Sequence, residues 1–368
     1  MTTNGNGQRP ERVETVIIGG GQAGLATGYH LGKLGRSFLI LDSYPRIGDN
    51  WRRHWESLRL YSPAGYDGLP GMPFPAEKWS YPTKDDVANY LEAYADQFEL
   101  PVRGAVTVDR LTRNDDHYLV WAGGRQYEAG NVVVATGTFG KPYTPEFAAD
   151  LDPSIRQLHS SEYKRPDQLA HGGVLVVGAS HSGGDIAYEA ARTHDTVLCG
   201  RDTGQIPVDI DSRQARLVFP LLWFVWNRIA TINTPVGRKM RPEIRSHGGP
   251  LLRVKGTDLA AAGVERIRCR VAGAYQGKPM LEDGRVLDVT TVVWCTGFHQ
   301  DFSWIQLPIV GTDGWPCERR GVVDNAPGVY FVGLAFQRAF ASMLIGGAGT
   351  DAEYVAKHID ARCQKSAV

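Results

Sequence analysis

Two six-residue runs in this chain could cradle a phosphate. Gly19-Gly20-Gly21-Gln22-Ala23-Gly24 fits GxGxxG, and Gly178-Ala179-Ser180-His181-Ser182-Gly183 fits it with serine at the middle glycine. The chemistry is that of anion binding by backbone. Gly19 permits a tight turn, Gly21 lets the main chain approach a pyrophosphate, and Gly24 lets helix and strand pack closely. Gln22 and Ala23 then open a helix whose N-terminus faces the anion. Gly178, Ser180, Ser182 and Gly183 repeat the pattern; the serine at the middle position is small and adds a hydroxyl, and His181 could add a positive edge.

The elements needed to aim these turns are written on either side of them. The apolar run Val16-Ile17-Ile18 reads as a buried parallel strand, and Leu25, Leu31 and Leu34 space a following helix. A second strand, Ser37 to Leu41, ends at Asp42, eighteen residues after Gly24. A carboxylate there can accept hydrogen bonds from both ribose hydroxyls of an adenosine. Downstream, Val174 to Val177, a helix through Ile186 and Ala190, and the strand Thr196 to Cys199 follow the same order. Arg201 stands eighteen residues after Gly183. An acid repels a 2′-phosphate, whereas a guanidinium grips one bidentately. The first site therefore suits FAD or NAD, and the second suits NADPH.

A further echo supports two related units. NVVVATG ends at Gly137 and TVVWCTG at Gly297, each an apolar strand closing on small residues where backbone can pass beneath a cofactor. Gly19 to Gly137 spans 118 residues and Gly178 to Gly297 spans 119. Val102 to Val108, Tyr118 to Trp121 and Arg125 to Glu128 read as a small β-meander, with Arg266 to Val271 and Pro279 to Glu282 as its counterpart. The expected fold class is α/β with two Rossmann-like dinucleotide-binding domains. Residues 1–165 and 300–368 form the FAD domain, with an NADPH domain, 166–299, inserted near Pro166 and returning near Asp301. Candidate FAD contacts are Gly19, Gly21, Gln22, Ala23, Gly24, Asp42, Ser43, Asn50, Trp51, Val106, Thr136, Gly137 and Gln337. For NADPH they are Gly178, Ser180, His181, Ser182, Gly183, Arg201, Thr296 and Gly297.

Composition narrows the class. Forty basic residues balance forty acidic ones, so no global field favours nucleic acid. Five scattered cysteines include no CxxC pair, which fits a reducing, cytoplasmic setting and argues against a redox-active disulfide. No HExxH or Cys/His cluster suggests a metal, and the serine-hydrolase elbow GxSxG fails at its last glycine. The polar stretch Met1 to Arg12 reads as a frayed tail. Leu217 to Ile232 is the strongest apolar run, too short and too interrupted to span a bilayer. It reads as a helix packed inside the protein or against a partner subunit of a homodimer, with a tunnel wall or a membrane rest as alternatives.

Taken together, the segments GGGQAG at Gly19, IGDNWRRHWESLRLYSP at Ile47, YPTKDDVANYLEAYA at Tyr81, ATGTFGKP at Ala135, GASHSGGDIA at Gly178, CTGFHQDFSWI at Cys295 and YFVGLAFQRAFASMLIGG at Tyr330 resemble the flavin-containing monooxygenases. The resemblance includes their short bacterial relatives and the YUCCA-type enzymes, and it runs from Val13 to His358. It implies that NADPH reduces FAD, that O₂ adds to the reduced flavin as a C4a-hydroperoxide, and that one oxygen passes to a small organic substrate. A dry pocket would then be the main catalytic device. A reductase or oxidase passing electrons elsewhere is the alternative. The family's linker signature is half present: His159 and Tyr163 match, while Pro153 and Ile155 replace Phe and Gly. Gly48-Asp49-Asn50-Trp51 stands for GGxW. The asparagine that larger members place shortly afterwards has no equivalent among Leu60, Tyr61 and Ser62, so the catalytic residues stay unassigned. His159, with Ser160 and Ser161, is expected at the junction between the two nucleotides.

Overall fold

A computed structural model describes residues 9–366. Residues 1–8 of the expected tail lie outside the described residues, and Glu11 and Arg12 already belong to the first strand. That strand, β1 (Glu11–Ile18), feeds α1 (Gln22–Lys33), and the chain returns as β2 (Phe38–Leu41), parallel to β1. The short α2 (Asp49–Arg52) and then α3 (Lys84–Gln97) follow. A reciprocal Thr83–Asp86 capping box starts α3 by satisfying two otherwise orphaned amides.

The edge of this sheet departs from expectation in one place. Val102 to Val108 is not one strand. β3 (Val102–Arg103) pairs parallel with β2, whereas β4 (Val108–Asn114) opens an antiparallel meander with β5 (His117–Ala122) and β6 (Arg125–Val134). The break falls at Ala105, which takes φ 55° and donates its N–H to Tyr44 O at 2.8 Å; Gly104 before it passes so close to the Pro45 carbonyl that an added Cβ would lie 2.5 Å from that oxygen. Strand β6 then runs on from the meander into the parallel sheet beside β1.

The chain crosses to the second unit through β7 (Lys141–Pro142) and β8 (Arg156–His159). Next come β9 (Val174–Val177), α4 (His181–Ala190), β10 (Thr196–Cys199), α5 (Arg213–Phe224), α6 (Pro235–Ser246) and α7 (Gly256–Ala261). β11 (Glu265–Ile267) precedes the hairpin of β12 (Val271–Tyr275) and β13 (Lys278–Leu281), extended by a Met280–Val286 bridge, and β14 (Thr291–Trp294) closes the sheet. Its order is β11-β10-β9-β14-β8, all parallel. Because β8 pairs with β14, the second sheet already draws on residues ahead of Pro166. β15 (Phe298–His299) leads out and pairs antiparallel with β7, so outgoing and returning chains form one short ribbon. β16 (Val329–Phe331), parallel to β6, and α8 (Ile345–Ser366) complete the first unit.

The parallel strands of both sheets are buried on both faces, by helices on one side and by the meander or hairpin with its loops on the other. Along β1, Ile17 joins one apolar cluster with Leu25 of α1 and Val355 and Ile359 of α8, while Val16 and Ile18 face another with Val120 and Phe331. Along β9, Val174 and Val176 face α4, and Leu175 and Val177 face Trp294. The Leu217 to Ile232 stretch is not interior. Phe219, Trp223 and Trp226 turn toward Tyr66 and Phe340, but Leu217, Leu221 and Phe224 are exposed. No helix among the described residues is long and apolar enough to cross a membrane.

Trp294 is fully buried at the centre of the second sheet, and its Nε1 donates to Gln157 Oε1 at 3.0 Å. Trp294→Ala should therefore destabilise the protein by roughly 3–5 kcal/mol, measured as a lowered urea midpoint; a midpoint unchanged from wild type contradicts this packing.

Candidate functional site

Each glycine turn is shaped by a carbonyl that leaves no room for a side chain. A Cβ on Gly24 would lie 1.9 Å from Gly19 O, and one on Gly183 would lie 1.7 Å from Gly178 O. Gly19 and Gly178 both adopt φ 109°, their absent Cβ atoms blocked by Ala135 O at 2.5 Å and Cys295 O at 2.2 Å. The same hydrogen bonds recur: Gly19 N–H to Leu41 O and Gly178 N–H to Cys199 O, both 2.8 Å. The middle position differs. At Gly21 the backbone is extended (φ −79°, ψ −174°) and an added Cβ would meet only Asn50 Nδ2, at 3.7 Å. Ser180 holds nearly the same angles, φ −88° and ψ −171°, which is why serine fits there.

These turns leave the starts of α1 and α4 without a side-chain cap and without an acidic residue in the first turn. The uncapped amides and the positive end of each helix suit a pyrophosphate. Gln22 and Ala23 begin α1, with Gln22 half-buried; Ser182 is half-buried in the first turn of α4. The Ser180 hydroxyl, by contrast, donates to Gly249 O at 2.8 Å, so it fastens the Gly248-Gly249 segment over the loop. His181 supplies no positive edge: burial pushes its imidazole down to about 4, and its ring stacks on Tyr61 at 5.5 Å.

The two strand ends carry opposite chemistry. Asp42 is buried, and its Oδ2 and Oδ1 accept from Gly20 N–H at 2.7 Å and Tyr44 N–H at 2.8 Å. Burial raises this carboxyl, and the Tyr44 and Gly20 amides pull it back. Both oxygens keep a lone pair for ribose hydroxyls. Val106 N–H donates to Asp42 O, and Ser43 is exposed just beyond. At the second strand end the Arg201 side chain is exposed, with no ion-pair partner among the described residues. Its neighbours are committed elsewhere, Asp202 to Arg268 and Arg266 to the Gly200 carbonyl.

Between the cradles lie Gly137 and Gly297, at φ 75° and 83°, each with open space where a Cβ would be. Thr136 is exposed beside the first; the Thr296 hydroxyl donates to Tyr143 O. His159 is buried and lies against the second shelf. A carbonyl can only accept, so His159 Nε2 carries the proton given to Gly297 O at 3.0 Å, and Nδ1 accepts from Ser161 at 2.9 Å. Burial also lowers its pKa, so it acts as a neutral strut. Trp51, on α2, packs against the cores of both units, and its buried Nε1 has no hydrogen-bond partner. Asn50 stands next to it, across from Gly21. An uncapped helix end, an open turn and an orphaned indole N–H together fit a bound FAD.

Gln337 departs from expectation. Its side chain is fully buried, accepting from Leu334 N–H and donating to Phe331 O at 2.7 Å. Its side chain thus ties its own turn. The N-terminus of α8 is held instead by close packing, since Gly346 abuts the Tyr66 carbonyl and the Trp223 ring.

Sequence reading missed two carboxylates, one half-buried and one fully buried. Tyr61 OH donates to Asp185 Oδ2 at 2.6 Å, joining the first unit to α4 of the second; burial pushes Asp185 up to about 6. Arg253 braces the same seam, donating to Leu60 O at 2.9 Å while paired with Asp211. The replacement of the family's asparagine near Tyr61 was the available signal. Asp67 is fully buried; its Oδ1 accepts from Ser62 at 2.6 Å, its Oδ2 has no partner, and burial pushes it up to about 7.

Two outcomes follow. Gly21→Ala should keep wild-type thermal stability yet lose most flavin on purification, whereas Gly24→Ala should fail on stability itself; equal flavin content in Gly21→Ala and wild type contradicts the cradle. Asp67 binds its proton more tightly folded than unfolded, so stability falls as pH rises from about 4 to about 7. Asp67→Asn should flatten that slope and gain on the order of 1–4 kcal/mol at pH 8, read from urea midpoints at pH 5 and 8.

Comparison with known proteins agrees with this geometry. Residues 16–217 match the family described as Pyridine nucleotide-disulphide oxidoreductase. An uncharacterized CzcO-like oxidoreductase of Geobacillus kaustophilus is 37% identical over 94% of this chain and 98% of its own. A probable indole-3-pyruvate monooxygenase, YUCCA7 of Arabidopsis thaliana, is 28% identical over 94% of this chain and 86% of its own. Among solved structures, a flavin-containing monooxygenase from Stenotrophomonas maltophilia superposes with a TM-score of 0.76 at 28% identity, covering 96% of this chain and 99% of that one. The chain belongs to the pyridine nucleotide-disulphide oxidoreductase family, as an enzyme of the flavin-dependent monooxygenase type, and FAD and NADPH are the cofactors this membership implies.

Proposed function

We propose that this enzyme oxidises NADPH and uses O₂ to oxygenate a small organic substrate, by N- or S-oxygenation or by oxidative decarboxylation of a 2-oxo acid. The single observation that carries the reading is the pair of matching glycine turns whose strand ends bear opposite charge, Asp42 and Arg201. The YUCCA-type and Stenotrophomonas relatives support it. We assign the first unit to FAD and the second to NADPH. The cytoplasm is the setting that fits five free cysteines.

FAD supplies hydride acceptance and, once reduced, the activation of oxygen. The chain's own residues do the rest. The amides at Gln22 and Ala23 and the Asp42 carboxylate hold the first dinucleotide, while Arg201 grips a 2′-phosphate on the second. The seam of Tyr61, Asp185 and Arg253 fixes the separation of the two cradles. Tyr66, Phe219, Trp223, Trp226 and Phe340 form an aromatic cap against the start of α8 and exclude water there. The five cysteines include no CxxC pair, which speaks against a redox-active dithiol.

Rapid mixing under ¹⁸O₂ with small amines, sulfides and 2-oxo acids tests the reading. Label should enter product, or appear in the carboxylate after decarboxylation; NADPH oxidation that yields only hydrogen peroxide with every substrate class points to an oxidase or reductase. Arg201→Ala should raise the KM for NADPH by about 10- to 100-fold and leave that for NADH unchanged; an unaltered NADPH preference contradicts the assignment of Arg201.

A further inference from the structure

The segment from Arg213 to Arg245 departs from the charge balance of the chain. It holds seven basic residues, Arg213, Arg216, Arg228, Arg238, Lys239, Arg241 and Arg245, against one acid, Glu243. Arg241 and Arg245 are spent on the buried Glu318 carboxylate. Arg213, Arg216, Arg228, Arg238 and Lys239 are exposed and form no salt bridge among the described residues. Among them lie large apolar side chains that the fold leaves in water: Leu217 is 83% exposed, Leu221 64%, Phe224 55% and Val236 51%. Apolar groups of this size clustered on one element mark a contact surface.

Their spacing gives the surface a shape. Arg213, Leu217, Leu221, Phe224 and Arg228 follow one another at three- and four-residue steps, so one stripe runs along α5 and the helical turn beyond it with a guanidinium at each end. The opposite face is already occupied, because Phe219 and Trp223 pack on Tyr66. The outer stripe is therefore free to meet something else. A second copy of the chain is a poor occupant: two-fold pairing along α5 sets Arg213 of each copy near Arg228 of the other, cation against cation. An anionic lipid surface meets both parts at once. Leucine and phenylalanine enter the acyl boundary while long arginine stems let the charges reach the headgroups.

We propose that α5 is a peripheral docking face for an anionic lipid bilayer, on which the enzyme lies without spanning it. Its aromatic inner face then stands between the bilayer and the start of α8, so a lipophilic compound leaving the membrane would arrive beside the aromatic cap.

Sedimentation of the full-length holoenzyme with vesicles tests this. The enzyme should pellet with phosphatidylcholine–phosphatidylglycerol vesicles and not with phosphatidylcholine alone, and added salt should release it. Arg213→Gln and Arg228→Gln should each weaken binding roughly five-fold. Leu217→Asp with Leu221→Asp, both outward-facing, should abolish pelleting while the melting temperature stays at the wild-type value. If that pair unfolds the protein, the arginine variants and the salt series decide alone. No pelleting on anionic vesicles overturns the proposal, as does binding that ignores both charge and salt. So does a wild-type dimer, seen by light scattering, that the Leu217→Asp, Leu221→Asp variant converts to monomer, because the face then belongs to a second copy.

Discussion

In both halves of this protein a carbonyl oxygen presses into the space where a side chain would start. Gly19 O stands under Gly24, and Gly178 O under Gly183, at distances no Cβ tolerates. That contact draws each first helix down onto the end of its strand and fixes where its uncapped amides point. Everything functional is set relative to those two directions. The carboxylate and the guanidinium sit at the next strand ends, and the small-residue shelves at Gly137 and Gly297 lie between them.

The seam between the units is made of polar contacts with apolar support. Tyr61 reaches Asp185, and Arg253 reaches the Leu60 carbonyl. Trp51, Trp55 and Leu58, which follow the first unit's second strand, pack into the apolar core of the second. The half-buried Asp185 carboxylate is held by its phenol partner at a cost in desolvation, which leaves its proton affinity high. Such a seam is specific in register yet weaker than a continuous hydrophobic core.

Much of this was legible because its causes are local. A glycine demanded by a carbonyl contact shows in the sequence as a glycine, and a repeat of strand, turn, helix and strand shows as matching spacing. Other features depend on partners far along the chain. Tyr61 and Asp185 are 124 residues apart and belong to no periodic pattern, so their pairing is invisible without the fold. Gln337 looks like a polar group reaching for a ligand because it follows an apolar strand, yet its amide closes its own turn. The run from Leu217 to Ile232 shows hydrophobicity and period but not which face has a partner, and only half of it does. The strand expected over Val102 to Val108 breaks at Ala105 because its N–H is taken by the Tyr44 carbonyl, some sixty residues earlier in the chain.

The ribbon of β7 and β15 has a mechanical meaning. β7 begins four residues after Gly137 and β15 directly after Gly297, and their pairing is reinforced by Tyr143 N–H to Gly297 O at 3.0 Å and by Gln300 to Thr138 O. Both passages of the chain between the units are therefore tied to each other beside the two glycine turns, outside either large sheet. A shift of one passage is handed directly to the other, and through it to the two turns at Gly137 and Gly297.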